Sequence, residues 1–257
     1  MEPLLINDSL FFWHKGRVRF SWCLPWDDDY TDEDRQAFIS WALDRGVDGV
    51  MMRLLDERIA TPFKNGEFMG ELDHIKFEKF MNFICKIKAL GGKMVFCLFD
   101  GPQQGKACKY PYHHDRVGME NFIKFACQVL RPFAYAFVLG CETNEYFDVA
   151  TVKYGIQLMK KYAPGIPCSS HEQWNPDKRE FIGGDFCCYE TRNHPRDGDK
   201  RSVGDMVNEV NYVISKLPPH VNMWVSEFNW NNSERCIQQA RAIAEIPRVI
   251  GVGMPLR

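Results

Sequence analysis

Several signatures are missing from the chain, and each absence removes a class of function. Nowhere do about 20 apolar residues follow one another, the length a membrane-spanning helix needs, so no membrane partner is expected. The N-terminal Pro3-Leu4-Leu5-Ile6 is cut short by Asn7 and Asp8, and Glu2 stands where a signal peptide carries basic residues. A cytoplasmic or phage-encoded setting is therefore expected, with an excised domain of a secreted enzyme as the alternative. Charge of one sign is absent as well: 32 Lys and Arg face 34 Asp and Glu, a formal net charge of −2. Without a basic excess or stripe, no nucleic-acid partner is expected. Pro, Gly and Ser never gather into a linker, so residues 1–257 read as one domain. No CxxC pair occurs among the 10 cysteines, and Cys187-Cys188 are adjacent, which is poor spacing for a zinc site.

What is present is an ordinary globular composition, 45% hydrophobic and 26% charged, over 257 residues, enough for one large core. Cys97, Cys141, Cys168, Cys187 and Cys188 fall in apolar runs, where a free thiol behaves as a small hydrophobe; a reducing compartment follows. Those runs are strand-like and alternate with helical stretches along the whole chain. Strands are expected at Val18–Cys23, Gly49–Leu54, Lys93–Phe99, Ala134–Gly140, Ile166–Ser170, Asp185–Tyr189, Asn222–Phe228 and Val249–Gly253. They are continuous rather than alternating, as in parallel strands covered on both faces. Helices are expected at Asp32–Arg45, His74–Leu90, Arg116–Leu130, Val149–Tyr162, Val203–Leu217 and Ser233–Glu245, with a short one about Pro176–Ile182. Thr31 with Asp34, Asp148 and Ser202 supply N-terminal caps, while Gly46 and Gly91-Gly92 supply stops.

Eight strands alternating with helices over this length predict an α/β fold, a compact (β/α)8 TIM barrel. The doubly wound alternative lacks its glycine-rich phosphate turn, because Leu24-Pro25-Trp26 and Asp27–Asp29 follow the first strand. The chain stops just after the last strand, so the eighth helix looks missing. A monomer is expected, with that edge open to the N-terminal segment or a partner.

In such a barrel the chemistry sits at the C-terminal ends of the strands. Strand two ends in Arg53 and strand three in Asp100; strand four runs into Glu142, Asn144 and Glu145. Strand five gives His171 and Glu172, strand six Tyr189 and Glu190, and strand seven Glu227. So many carboxylates with few lysines suit proton transfer, carbocation-like chemistry or a divalent metal rather than an anion pocket. Asn144-Glu145 and Glu227 lie across the barrel mouth from each other. Two carboxylates about 5–5.5 Å apart perform retaining glycoside hydrolysis, one as nucleophile and one as acid, then base. The acid keeps its proton near neutral pH when burial and a neighbouring carboxylate raise its pKa.

The segments Val138-Leu139-Gly140-Cys141-Glu142-Thr143-Asn144-Glu145, Trp224-Val225-Ser226-Glu227-Phe228 and Val50-Met51-Met52-Arg53-Leu54 resemble three strand-end motifs of one group. It is the clan of (β/α)8 retaining glycosidases, and the likeness is to glycoside hydrolase family 5, the cellulase and mannanase family. The resemblance implies Glu145 as acid/base, Glu227 as nucleophile, Asn144 as ligand of the sugar 2-hydroxyl and Arg53 as a positioning group. It also puts Tyr189 where the clan keeps a tyrosine that hydrogen-bonds the nucleophile. The chain departs from the family at Tyr146, where proline is usual, and at Asp100 and Cys187, where histidines are common. Its eighth strand has no tryptophan.

Aromatic residues make up 14% of the chain, and Trp22, Trp26, Tyr146, Trp174 and Trp230 fall at the expected rim. Flat rings there stack on pyranose faces; Trp26, Trp174 and Trp230, with His171 and Asp100, complete the expected sugar-binding set. Plainer roles stay open. Arg53 can pair with Asp56 or Glu57, Tyr189 can be a core tyrosine, and His171 a structural histidine. His113-His114 and Asp27–Asp29 read as solvated loops. The activity expected is retaining endo-acting hydrolysis of a β-linked polysaccharide or oligosaccharide, with no cofactor and no metal. Two alternatives remain: a divalent-metal barrel of the sugar-isomerase or phosphodiesterase type, using Glu145, His171, Glu190 and Glu227, and a non-catalytic carbohydrate-binding barrel.

Overall fold

The computed structural model describes residues 12–14, 17–19, 21–23, 33, 40, 49–53, 74–100, 116–141, 143, 147–172, 181–191, 201–227 and 234–252. A short antiparallel pair comes first, β1 (Phe12–His14) with β2 (Arg17–Arg19). Parallel strands and helices then alternate: β3 (Ser21–Cys23), β4 (Gly49–Arg53), α1 (His74–Ala89), β5 (Lys93–Asp100), α2 (Arg116–Leu130), β6 (Ala134–Cys141), α3 (Val149–Tyr162) and β7 (Cys168–Ser169). The second half holds β8 (His171–Glu172), β9 (Phe186–Glu190), α4 (Val203–Lys216), β10 (Asn222–Glu227), α5 (Glu234–Ala244) and β11 (Val249–Val252).

Two of the expected strands are divided. Val18–Cys23 is not one strand: Arg19 pairs antiparallel with Phe12, whereas Ser21–Cys23 begins the parallel sheet beside Gly49–Met51. Ile166–Ser170 is divided at Ser170. Its first part, β7, pairs with β6, and the chain just beyond, β8, pairs with β9. One passage of chain thus joins the order β3-β4-β5-β6-β7 to the order β8-β9-β10-β11. Among the described residues β3 and β11 are not paired with each other, and β11 lies beside β1 and β2. Phe181 and Ile182, expected at the end of a short helix, are not helical.

Side-chain alternation along the strands builds two apolar layers. Phe96, Leu98, Phe137, Leu139, Met223 and Val225 face the helices, where Ile84, Phe122, Val210 and Ile243 cover them. Met51, Val95, Cys97, Ala136, Val138, Phe186, Cys188 and Trp224 form the other, inner layer. Each Val, Leu, Ile, Phe or Met among them taken fully from water contributes about 1.5–3 kcal/mol before the cost of ordering it. This is why the strands read as unbroken apolar runs.

Local chemistry starts and stops the helices. Asp148 accepts a 2.6 Å hydrogen bond from the Thr151 amide at the start of α3. At α4 a full capping box forms: the Asp205 amide donates to Ser202 Oγ at 3.1 Å, and the Ser202 amide donates to Asp205 Oδ2 at 3.0 Å. Gly91, at φ +80°, closes α1 in the left-handed region. Below the sheet, the Cys168 amide donates to Asp185 Oδ2 at 2.9 Å and the Asp185 amide returns to the Cys168 carbonyl at 2.8 Å. Gly184 makes that approach, since a Cβ there would lie 2.9 Å from the Cys168 carbonyl oxygen. Arg248 secures the turn from α4 into β10 by donating to the carbonyls of Ile214, Pro218 and Val221.

Candidate active site

Five parallel strands finish on a charged residue: Arg53 on β4, Asp100 on β5, Glu172 on β8, Glu190 on β9 and Glu227 on β10. These are five of the strand-end positions expected at the rim. Register shows which positions share a face. Arg53 is level with Cys97, an inner-layer residue, and Asp100 is level with Cys141. His171 is level with Cys188, also inner-layer.

The register between β9 and β10 changes just below the rim. Trp224 pairs with Cys188 and Val225 with Tyr189, but the next pair is Glu227 with Glu190. Ser226 is the extra residue of a bulge; it is buried, and its hydroxyl donates to the Tyr189 carbonyl at 3.3 Å. Without it, strict alternation would put position 227 on the helix-facing side with Met223 and Val225. The bulge brings position 227 level with Glu190, which continues the inner face of Phe186 and Cys188.

Tyr189 is the clear departure from expectation. It is fully buried in the helix-facing layer, and its hydroxyl donates to Glu209 Oε1 on α4 at 2.6 Å. Arg201 closes the other side of Glu209 through Oε2. Tyr189 and Cys187 therefore occupy the outer face of β9, and the inner positions belong to Cys188 and Glu190. The inner face of β9 thus lies one residue out of phase with the expectation that Tyr189 faces the site. His171 is also enclosed, 1% exposed, so it stands as a wall residue closed to solvent.

Asn144, Glu145, Trp26, Trp174 and Trp230 lie outside the described residues, as do the side chains of Arg53, Asp100 and Glu227. The residues on either side of the 144–146 segment are well anchored. Thr143 is fully buried, and its hydroxyl donates to the His171 carbonyl at 2.9 Å, tying the end of β6 to β8. The Phe147 amide returns to the Thr143 carbonyl at 2.8 Å, and the Phe147 ring packs 6.0 Å from Phe99. Gly140 allows this turn to sit close, because a Cβ there would lie 3.0 Å from the Phe99 carbonyl oxygen and 3.1 Å from Thr143 Cγ2. These anchors were not picked out from the sequence. A threonine and an aromatic bracketing Asn-Glu were the available signal.

The cysteines bear on the competing chemistries. Cys97, Cys127, Cys168, Cys187 and Cys188 are buried, and Cys85 is exposed. Burial pushes the Cys127 and Cys168 thiols up to about 12, so neither serves as a thiolate nucleophile near neutral pH. Among the described residues no group of three or more His, Cys, Asp or Glu side chains is arranged to hold a metal ion. Likewise no helix of the described residues is long and apolar enough to cross a membrane.

No protein-family model and no curated protein matches the chain. Solved structures do match. A variant of GH5_18 from Streptomyces cattleya, in complex with Manb1-4GlcNAc, superposes with TM-score 0.62 at 13% identity, covering 87% of this chain and 65% of its own. The endo-1,4-beta-mannanase from Rhizomucor miehei gives 0.59 at 9% identity, covering 88% and 84%. PbGH5A, a glycoside hydrolase family 5 enzyme from Prevotella bryantii B14, gives 0.58 at 7% identity, covering 81% and 73%. The chain thus spans just under two thirds of the Streptomyces protein and shares the fold of these glycoside hydrolases.

Proposed function

We propose that the chain is a retaining endo-acting β-glycosidase, a single (β/α)8 barrel in which β11 closes towards β3. Glu227 is the nucleophile and Glu145 the acid/base. The observation that carries this reading is the bulge at Ser226, which brings position 227 level with Glu190 at the carboxyl end of β10. A bulge at a strand end is a device for re-aiming one residue, and here that residue is the proposed nucleophile. The shared fold with glycoside hydrolases supports it.

In the first step the Glu227 carboxylate attacks the anomeric carbon while Glu145 gives its proton to the departing glycosidic oxygen. A covalent glycosyl-enzyme results, and the aglycone leaves as a neutral alcohol. Glu145, now a carboxylate, takes a proton from water as that water attacks the same carbon. Glu227 is released ionised and Glu145 protonated, as they began. Asn144 holds the sugar 2-hydroxyl, where hydrogen bonds strengthen in the transition state. Arg53 favours the charged form of Glu227. Trp26, Trp174 and Trp230 stack on sugar faces, and Asp100 binds hydroxyls. Because neighbours in the fold include a mannanase and a protein complexed with Manb1-4GlcNAc, β-mannans belong first among the substrates to try.

The test is reducing-sugar release from β-mannans, β-glucans, xylans and chitin-type polymers in excess EDTA. Release that persists in EDTA, and falls on the order of a thousand-fold or more in Glu227→Gln, is expected. Activity unchanged in that variant overturns the mechanism. Activity lost in EDTA and restored by a divalent ion favours the metal-dependent barrel instead.

A further inference from the structure

We propose that Glu190 is the residue that positions the nucleophile, in the place expected of Tyr189. The inference rests on the assignment of Glu227 above and adds a second carboxyl group to its immediate surroundings.

Three observations converge on it. The first removes the alternative: the Tyr189 hydroxyl lies on the helix side of β9, engaged by Glu209, with Arg201 beyond it. The second is register. The extra residue at Ser226 makes Glu190 and Glu227 direct partners on adjacent parallel strands, whose spacing is about 4.8 Å. The third is environment. Glu190 is partly buried, and its Oε2 is shielded from solvent.

Two carboxyl groups at neighbouring strand ends, one shielded, do not both ionise easily. The pair loses its protons in two separated steps, and over the interval between them it carries one charge and one proton. Glu190, whose Oε2 is shielded from water, keeps the proton in this arrangement. Its O–H then donates to the Glu227 carboxylate, as a tyrosine hydroxyl would, and holds that carboxylate in its attacking orientation. Glu190 gives up no proton during turnover; it orients Glu227 and stabilises its charged form. The other titratable groups on the strands flanking Glu190 are His171 and Glu172 on β8. Arg201 and Glu209 belong to the opposite face with Tyr189.

A mechanism-based inactivator tests this without involving Glu145. Dinitrophenyl 2-deoxy-2-fluoro-β-mannoside and the matching β-glucoside carry a leaving group that needs no proton, so the acid limb of their inactivation rate follows the ionisation of Glu227. Glu190→Gln keeps a neutral donor and is expected to retain that limb, with a rate within a few-fold of wild type. Glu190→Leu removes the donor. Its limb is expected to move up by about one pH unit and its rate to fall about ten-fold. If Glu190→Leu does not fold, Glu190→Ala carries the same expectation. An acid limb identical in the donor-retaining and donor-lacking variants overturns the inference while leaving Glu227 as nucleophile. Mass spectrometry of the trapped protein separates the two failures: a label on a residue other than Glu227 overturns the assignment of the nucleophile, and the inference with it.

Discussion

Two carboxylates in the helical layer meet the same kinds of partner under opposite conditions. Glu120 on α2 accepts from the hydroxyls of Tyr154 at 3.0 Å and Tyr162 at 2.5 Å, and from Lys161 at 2.9 Å, all on α3. Glu209 on α4 accepts from the hydroxyl of Tyr189 and pairs with Arg201. Glu120 has more partners, but its cluster lies at the surface, and the Lys161 side chain is 59% exposed. The Glu209 side chain is 11% exposed and faces a tyrosine with no exposure at all. The number of hydrogen bonds does not rank the two. What ranks them is how much water can replace a lost partner.

The buried cluster is therefore where a single change does most damage. Glu209→Ala takes the acceptor from the hydroxyl of the fully buried Tyr189 and the carboxylate from Arg201, whose side chain is 27% exposed. It is expected to cost about 2–4 kcal/mol, read from urea denaturation midpoints. Tyr189→Phe removes only one hydrogen bond and leaves Glu209 with Arg201, so about 1 kcal/mol is expected. Equal losses in the two variants would mean that the tyrosine, not the carboxylate, holds β9 to α4.

The α2–α3 side is held by packing rather than by its surface cluster. Gly155 on α3 sits so close to the sheet that a Cβ would lie 2.5 Å from Leu139 Cδ1 and 2.8 Å from Met119 Cε. Gly155→Val overfills this contact, and a loss of about 1–3 kcal/mol is expected in the same denaturation measurement. A neutral result would show that Leu139 and Met119 can move aside, and would return weight to Glu120 in joining the two helices.

The contrast between these regions also explains what was legible in the sequence. Arg116–Leu130 and Val149–Tyr162 were expected as helices at their observed bounds. Helical periodicity survives where one face is wet, and caps such as Asp148 and Ser202 act within three residues. Strand ends were legible to within one residue, since Arg53, Asp100, Glu190 and Glu227 break otherwise apolar runs. The phase of β9 was not. Phe186, Cys187, Cys188 and Tyr189 are all buried, so the two-residue alternation that tells inside from outside is erased. Only register with β10, including the extra Ser226, assigns Glu190 to the inner face. The divisions at residues 18–23 and 166–170 were hidden for a related reason: which strand a segment pairs with is a property of distant chain, not of the segment.

The smallest effect is expected at Glu120, and its sign can be worked out. The Tyr162 hydroxyl, then Lys161 and the Tyr154 hydroxyl, bring this carboxyl down from the ordinary 4.5 to about 2. A group whose folded-state pKa is lowered stabilises the fold above its unfolded value and loses that contribution as pH falls through the folded one. Glu120→Gln should therefore be slightly less stable than wild type at neutral pH. The difference should shrink between pH 4.5 and about 2 and vanish below that interval. Added salt should shrink it further at neutral pH, because the Lys161 share of the interaction is exposed and screened. Urea midpoints taken across this pH range make the check. A difference that stays constant with pH would mean that Glu120 acts through the shape of its contacts with Tyr154 and Tyr162 rather than through its charge. The two clusters would then differ in burial alone.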